Sequence, residues 1–260
     1  MYALLYMNLA EHVEALVAKG FTEERAEIIV LMREAAIVLF DAFPDTLLLV
    51  GGASLILFEE SIRHSSDLDI KPVGVMPTFD ALKDALEGGL KPLSELLGLS
   101  LIITIRGGEG LVVRTQEKQL FTIDNAGLAS VITTNTDVHR LEATGTNRIA
   151  DVRSPSRDQF LLMKAETFLR RSKVKARDAY DIMGLLSRGA EFSGNLKQHL
   201  DDFMMEFDSE TIQERIALLT PALCRADLET FIPDGEYHAL EELEFKPLRD
   251  AVSKIFVDWI

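Results

Sequence analysis

The sequence predicts an α+β protein: a mixed sheet with flanking helices over residues 1–154, then a helical domain over 155–260. Three observations carry this reading. Short apolar or alternating runs at 46–50, 67–73 and 99–105 are separated by stretches of helical periodicity. Residues 111–152 are rich in Val, Ile and Thr, with turn signals near Asn125, Asn135 and Gly145-Thr146-Asn147. From Pro155 onward only helical patterns remain. A length of 260 residues, with 47% hydrophobic and 27% charged, suits one large or two ordinary folded domains.

The elements follow in order. Residues 9–18 read as a short amphipathic helix ending at Gly20. Thr22 stands three residues before Arg25, with Glu23 and Glu24 in the first turn. This is the start of a helix that runs to about residue 42 and is stopped by Pro44. The run TLLLV at 46–50 reads as a buried strand, followed by Gly51-Gly52 and a helix over Ala53–Glu60. DLDIKPV at 67–73 alternates acid and apolar and reads as a strand. A helix over 78–97, a strand over 99–105 and two to four strands within 111–152 complete this half. The second half reads as helices at 156–172, 176–188, 194–206, 209–219, 221–231 and 246–258.

Charge and composition exclude several function classes. The net charge of −15 opposes non-specific binding to nucleic acid or an anionic membrane. It is uneven: −9 over 1–155, +4 over 156–188 and −10 over 189–260. One basic segment in an acidic chain predicts a local anion site. The lone Cys224 excludes a disulfide framework and a multi-cysteine zinc site, and the five histidines show no metal-ligand spacing. The N-terminus has no basic region ahead of its apolar run, and no apolar stretch reaches membrane-spanning length. The expectation is a cytoplasmic protein without a membrane segment.

The stretch Leu47–Ile70 carries the chemistry. A strand ends in two glycines, a helix follows, and the next strand bears Asp67 and Asp69. Alternation puts both acids on one face and Leu68 and Ile70 on the other. Two such carboxylates stay ionised only beside a compensating cation. Mg²⁺ takes one or two carboxylates together with substrate phosphates, and a glycine-opened helix start can cradle a triphosphate. Either motif alone is most often a turn or a solvated strand end; the order strand–GG–helix–strand–DxD is far more specific.

These residues resemble motif I of the DNA polymerase β-like nucleotidyltransferase superfamily. The flank Arg63-His64-Ser65-Ser66-Asp67-Leu68-Asp69 is similar to its AbiEii branch, the abortive-infection toxins of type IV toxin–antitoxin systems. Ala53 departs from that pattern, which has a hydroxyl residue there; Ser54 is adjacent. The segment VRSPSRDQFLLMKAETFLRRSKVKARDAYDIMGLLSR at 152–188 is similar to the branch's second motif. The resemblance implies a nucleotidyltransferase-like fold and transfer of a nucleotidyl group from an NTP, with Mg²⁺ or Mn²⁺. Asp67, Asp69, Lys164, Asp178 and Asp181 are then the catalytic set. Gly51, Gly52, Ser54, Arg63, Ser65, Lys175 and Arg177 would bind the nucleotide. A third metal carboxylate is expected on a later strand, with Glu142 the first candidate and Asp124 and Asp137 the others. Implied partners are an NTP, a tRNA acceptor and a cognate antitoxin. Two rivals remain: a small-molecule nucleotidyltransferase acting on an aminoglycoside-like polycation, and a non-catalytic nucleotide- or partner-binding module.

Overall fold

The computed structural model describes residues 2–126, 135–144 and 146–260. The strand character read across 127–134 and the turn signal at Gly145 lie outside them. The chain divides into two compact units, Met1–Pro155 and Ser156–Ile260.

In the first unit the elements are α1 (Tyr2–Ala18), α2 (Glu23–Ala42), β1 (Leu47–Val50), α3 (Gly51–Phe58), β2 (Asp67–Pro72) and α4 (Phe79–Leu96), then β3 (Ile102–Arg106), β4 (Gly110–Arg114), β5 (Gln119–Asn125), β6 (Thr136–Glu142) and β7 (Ile149–Pro155). Five strands form one mixed sheet in the order β1-β2-β5-β4-β3; β6 and β7 form a separate antiparallel ribbon. Among the described strands only the β2–β5 pairing is parallel. The ribbon's β7 packs against α2 and β1.

The α2 helix starts where the capping signal puts it: Thr22 Oγ1 accepts from Arg25 N at 3.3 Å. It is buried on most of its circumference because α1, α4 and β7 all pack on it. In α4, Leu82, Leu86, Leu90 and Leu93 form the buried stripe, and Thr78 caps the first turn. One sheet face carries the core, with Leu68, Ile70, Leu111, Val113, Phe121 and Ile123 fully buried.

The second unit is helical: α5 (Arg157–Arg170), α6 (Ala176–Ser187), α7 (Asn195–Met204), α8 (Ser209–Ala217), α9 (Pro221–Leu228), α10 (Asp234–Glu242) and α11 (Lys246–Ile255). Ser156, Asp208 and Thr220 cap α5, α8 and α9 through their side chains. The α6 helix packs against α5, α9 and α11.

Three elements differ from the sequence reading. The first helix begins at Tyr2 rather than residue 9. The helix after β1 begins at Gly51 itself, because Gly51 adopts φ +72 and turns the chain directly into the helix. The helix α10 was not expected: its DGEYHALEE sequence buries only Tyr237 and Leu240, too little for a readable periodicity.

Candidate active site

The site is built on the polar face of the five-stranded sheet. Parallel pairing sets Asp67 beside Thr122 and Asp69 beside Asp124. Residues in register on neighbouring strands share a face, so β2 and β5 present three carboxylates together. Thr122 Oγ1 lies 2.9 Å from both Asp67 Oδ1 and Asp124 Oδ2, and its one proton serves either. Ser66 Oγ donates to Asp67 Oδ1 at 3.1 Å. Arg106 Nη2 donates to Asp124 Oδ1 at 2.7 Å.

Across from the acids stands the start of α3. Gly51 occupies the left-handed region, and a Cβ there would overlap Asp69 Oδ2. Glycine thus serves twice, permitting the turn and letting the carboxylate close on the backbone. A Cβ at Gly52 would overlap the Arg63 guanidinium. Arg63 is buried, and its Nη1 donates to His64 O at 3.1 Å, bracing the chain between α3 and β2. The N-cap residue of α3, Val50, makes no side-chain cap. The positive end of the helix dipole favours negative charge, and the Asp69 carboxylate lies against it.

Other expected residues sit differently. Ser54 is fully buried and its hydroxyl has no hydrogen-bond partner among the described residues. Ser65 Oγ donates to the Asp67 carbonyl at 3.2 Å and shapes the entry to β2. His64 leans on Phe21 with ring centroids 5.5 Å apart; burial, and then the charge of Arg25, hold its pKa below the ordinary histidine value.

Glu142, the first candidate for a third carboxylate, does not lie on the strand beside Asp67 and Asp69. It ends β6 on the separate ribbon, paired with Ile149, and lines a cavity of about 430 Å³ with His12, Arg33, Arg140, Ala143 and Thr144. Asp137 is also on that ribbon. The third carboxylate beside Asp67 and Asp69 is Asp124, because β5 and not β6 is the neighbour of β2. Thr122, Arg106, Ser66 and Gly110 were not singled out from sequence; only the sheet order brings most of them to the acids.

The Asp67–Asp69 pair fits a hard divalent cation: two carboxylates on one strand face, opposite a helix start suited to phosphates. Among the described residues no three His, Cys, Asp or Glu side chains converge on a point that could hold a metal. Asp124 is instead turned onto Arg106.

In the helical unit, Lys164 Nζ on α5 lies 2.8 Å from Asp181 Oδ2 and 3.7 Å from Asp178 Oδ1. Arg171 Nε lies 2.8 Å from Asp178 Oδ2, a close ion pair off the hydrogen-bond line. Both aspartate side chains are only 1% exposed. Lys175 pairs with Asp227 Oδ1 at 3.3 Å, and the Arg177 guanidinium sits 5.8 Å from the Phe231 ring centroid. The positive charge of segment 156–188 is thus largely engaged by partners within its own unit.

The profile of one protein family, described as the AbiEii nucleotidyl transferase toxin of type IV toxin–antitoxin systems, matches residues 36–253. The chain belongs to this AbiEii family. It is accordingly a nucleotidyltransferase of a toxin family. The fold agrees. A presumed nucleotidyltransferase from H. pylori is similar at 16% identity and a TM-score of 0.54, over 92% of this chain and 97% of that one. MenT4, nucleotidyltransferase toxin Rv2826c from Mycobacterium tuberculosis H37Rv, is similar at 17% identity and a TM-score of 0.53, over 94% and 89%. Comparison with curated proteins gives no match. No described helix is long and apolar enough to cross a membrane.

Proposed function

We propose that this AbiEii-family protein transfers a nucleotidyl group from an NTP to an acceptor such as tRNA in the cytoplasm, as the toxin of a type IV pair with a cognate antitoxin. One observation carries the reading: Asp67, Asp69 and Asp124 share a sheet face beside a glycine-opened helix start.

Asp67 and Asp69, with Asp124 as the third carboxylate, would hold Mg²⁺ or Mn²⁺, which when bound supplies charge neutralisation at the phosphates and activation of the attacking oxygen. The N–H groups at Gly51 and Gly52 orient the triphosphate. Asp124, with Thr122 against its Oδ2, is placed to take the acceptor hydroxyl's proton. Ser66 and Thr122 fix the Asp67 carboxylate by donating to Oδ1. Lys164, Asp178 and Asp181 keep their expected catalytic assignment as a proposal resting on the family motif, and Lys175 and Arg177 theirs as nucleotide ligands.

The test is transfer of label from α-labelled NTPs to total tRNA with Mg²⁺. Asp69→Asn keeps the side-chain volume and removes half of the paired charge. Losing several kcal/mol of transition-state stabilisation corresponds to a rate loss on the order of a thousandfold or more. Full activity in Asp69→Asn at an unchanged melting temperature would refute the metal assignment. Labelling of a small polycation instead of tRNA would favour the aminoglycoside-type reading, which the −10 charge of 189–260 suits.

A further inference from the structure

One row of residues crosses the sheet from its edge to the site: Arg106 on β3, Gly110 on β4, Asp124 on β5 and Asp69 on β2. Arg106 and Asp124 are two strands apart, roughly 10 Å in the hydrogen-bonding direction, too far for an ordinary cross-strand pair. They meet because the position between them has no side chain. A Cβ at Gly110 would overlap both Asp124 Oδ1 and the Ile123 carbonyl. Arg106 reaches across that gap to Oδ1 at 2.7 Å, while Thr122 engages Oδ2 at 2.9 Å.

The pair does little for stability. The Arg106 side chain is 53% exposed, and exposed ion pairs contribute at most about 1 kcal/mol. Its consequence lies in what it does to Asp124. With Oδ1 held by Arg106, this carboxylate does not converge with Asp67 and Asp69 on one point, although register sets it directly beside Asp69.

We propose that Arg106 is a positioning residue that competes with the divalent cation for Asp124 and so sets the metal affinity of the site. This rests on the reading of the acids as the metal-binding set. Guanidinium and metal cannot both take Oδ1. Before metal enters, Arg106 neutralises one of three crowded carboxylates and keeps them assembled. A competitor occupying the metal-free state lowers the apparent affinity for metal. Arg106→Gln removes the competitor and its positive charge, so metal should bind about fivefold more tightly, the ratio that the upper range of an exposed ion pair yields.

The experiment is Mn²⁺ titration of the full chain without nucleotide, reading free Mn²⁺ by electron paramagnetic resonance. Arg106→Gln should bind about fivefold tighter than the parent with an unchanged melting temperature, and Arg106→Lys should fall between the two. In an Asp124→Asn background the same Arg106→Gln change should have no effect, because its influence passes through Asp124. Unchanged or weaker Mn²⁺ binding in Arg106→Gln would overturn the proposal, as would an equal gain in the Asp124→Asn background. In either case weakened binding in Asp69→Asn would leave the metal site itself intact. Parent-like Mn²⁺ binding in Asp69→Asn would instead overturn the metal-site reading and this proposal with it. A raised KM for NTP with unaltered Mn²⁺ affinity would make Arg106 a phosphate ligand and refute the competition.

Discussion

Replacing Lys164 by alanine should weaken the helical unit before it can report on catalysis. Lys164 and Arg171 face Asp178 and Asp181, two cations against two carboxylates that are 1% exposed. Removing one member of a buried ion pair leaves charge that water cannot reach, at a cost of about 3–5 kcal/mol. Whole-protein stabilities run to about 5–15 kcal/mol. With roughly 2–4 °C of melting temperature per kcal/mol in a chain of this size, the drop should be on the order of 6–20 °C. Calorimetry of the full chain measures it. The double variant Lys164→Ala/Asp181→Asn should recover part of the loss, since it also removes the stranded charge, with a coupling of about 1 kcal/mol or more. A Lys164→Ala melting temperature within about 2 °C of the parent would refute the argument that this lysine holds the buried acids. Any transfer assay on the variant belongs below its own melting temperature.

Three further outcomes follow from the first unit. Gly51→Ala should lose most transfer activity, because left-handed φ costs a side-chain-bearing residue about 1–2 kcal/mol and the new Cβ displaces the Asp69 carboxylate; steady-state kinetics beside a melting curve separates the two effects. Asp124→Asn should reduce turnover at least a hundredfold, in the range of general-base loss, while Glu142→Gln on the ribbon leaves it within about twofold. Burial holds the His139 pKa below its ordinary value of 6.5, against the pull of Asp137 and Glu59. Its ring stacks on Phe58 at 3.8 Å and bonds Ser154 at 2.9 Å. The unfolded chain therefore takes up this proton first, so stability present above about pH 6.5 is lost as pH falls through the lowered folded value. The decline in melting temperature from pH 7 to pH 5 should be shallower in His139→Gln.

The parts of the site that lie close in sequence were legible without a structure. Apolar alternation set the faces of Asp67 and Asp69, while the two glycines that open α3 marked a helix start for phosphates and gave no sign that the Asp69 carboxylate would lie against Gly51. Asp124 was less legible than Glu142 because both end strands of similar character. What separates them is that β2 pairs in parallel with a strand more than fifty residues later. Periodicity within a segment carries no information about its neighbour. Gly110 shows the same limit: in sequence it closes a glycine-rich turn, and only the cross-strand register makes it the gap through which Arg106 passes. Two acidic partners of the basic run 156–188, Asp227 and Glu206, were not legible as such because they lie far along the chain.

Asp227 has a further consequence. The α6 helix carries the buried acids, yet its N-cap residue Lys175 makes no side-chain cap. The first helical N–H, of Ala176, is instead accepted by Asp227 Oδ2 on α9 at 2.9 Å, and Lys175 pairs with the same carboxylate. A local cap contributes as soon as its helix forms; a borrowed one, worth about 1 kcal/mol, contributes only after α9 has docked some fifty residues later. The α6 and α9 helices are thereby coupled in folding, and a nascent chain halted before Pro221 carries α6 without that anchor. The start of α6 is thus completed only when α9 is in place.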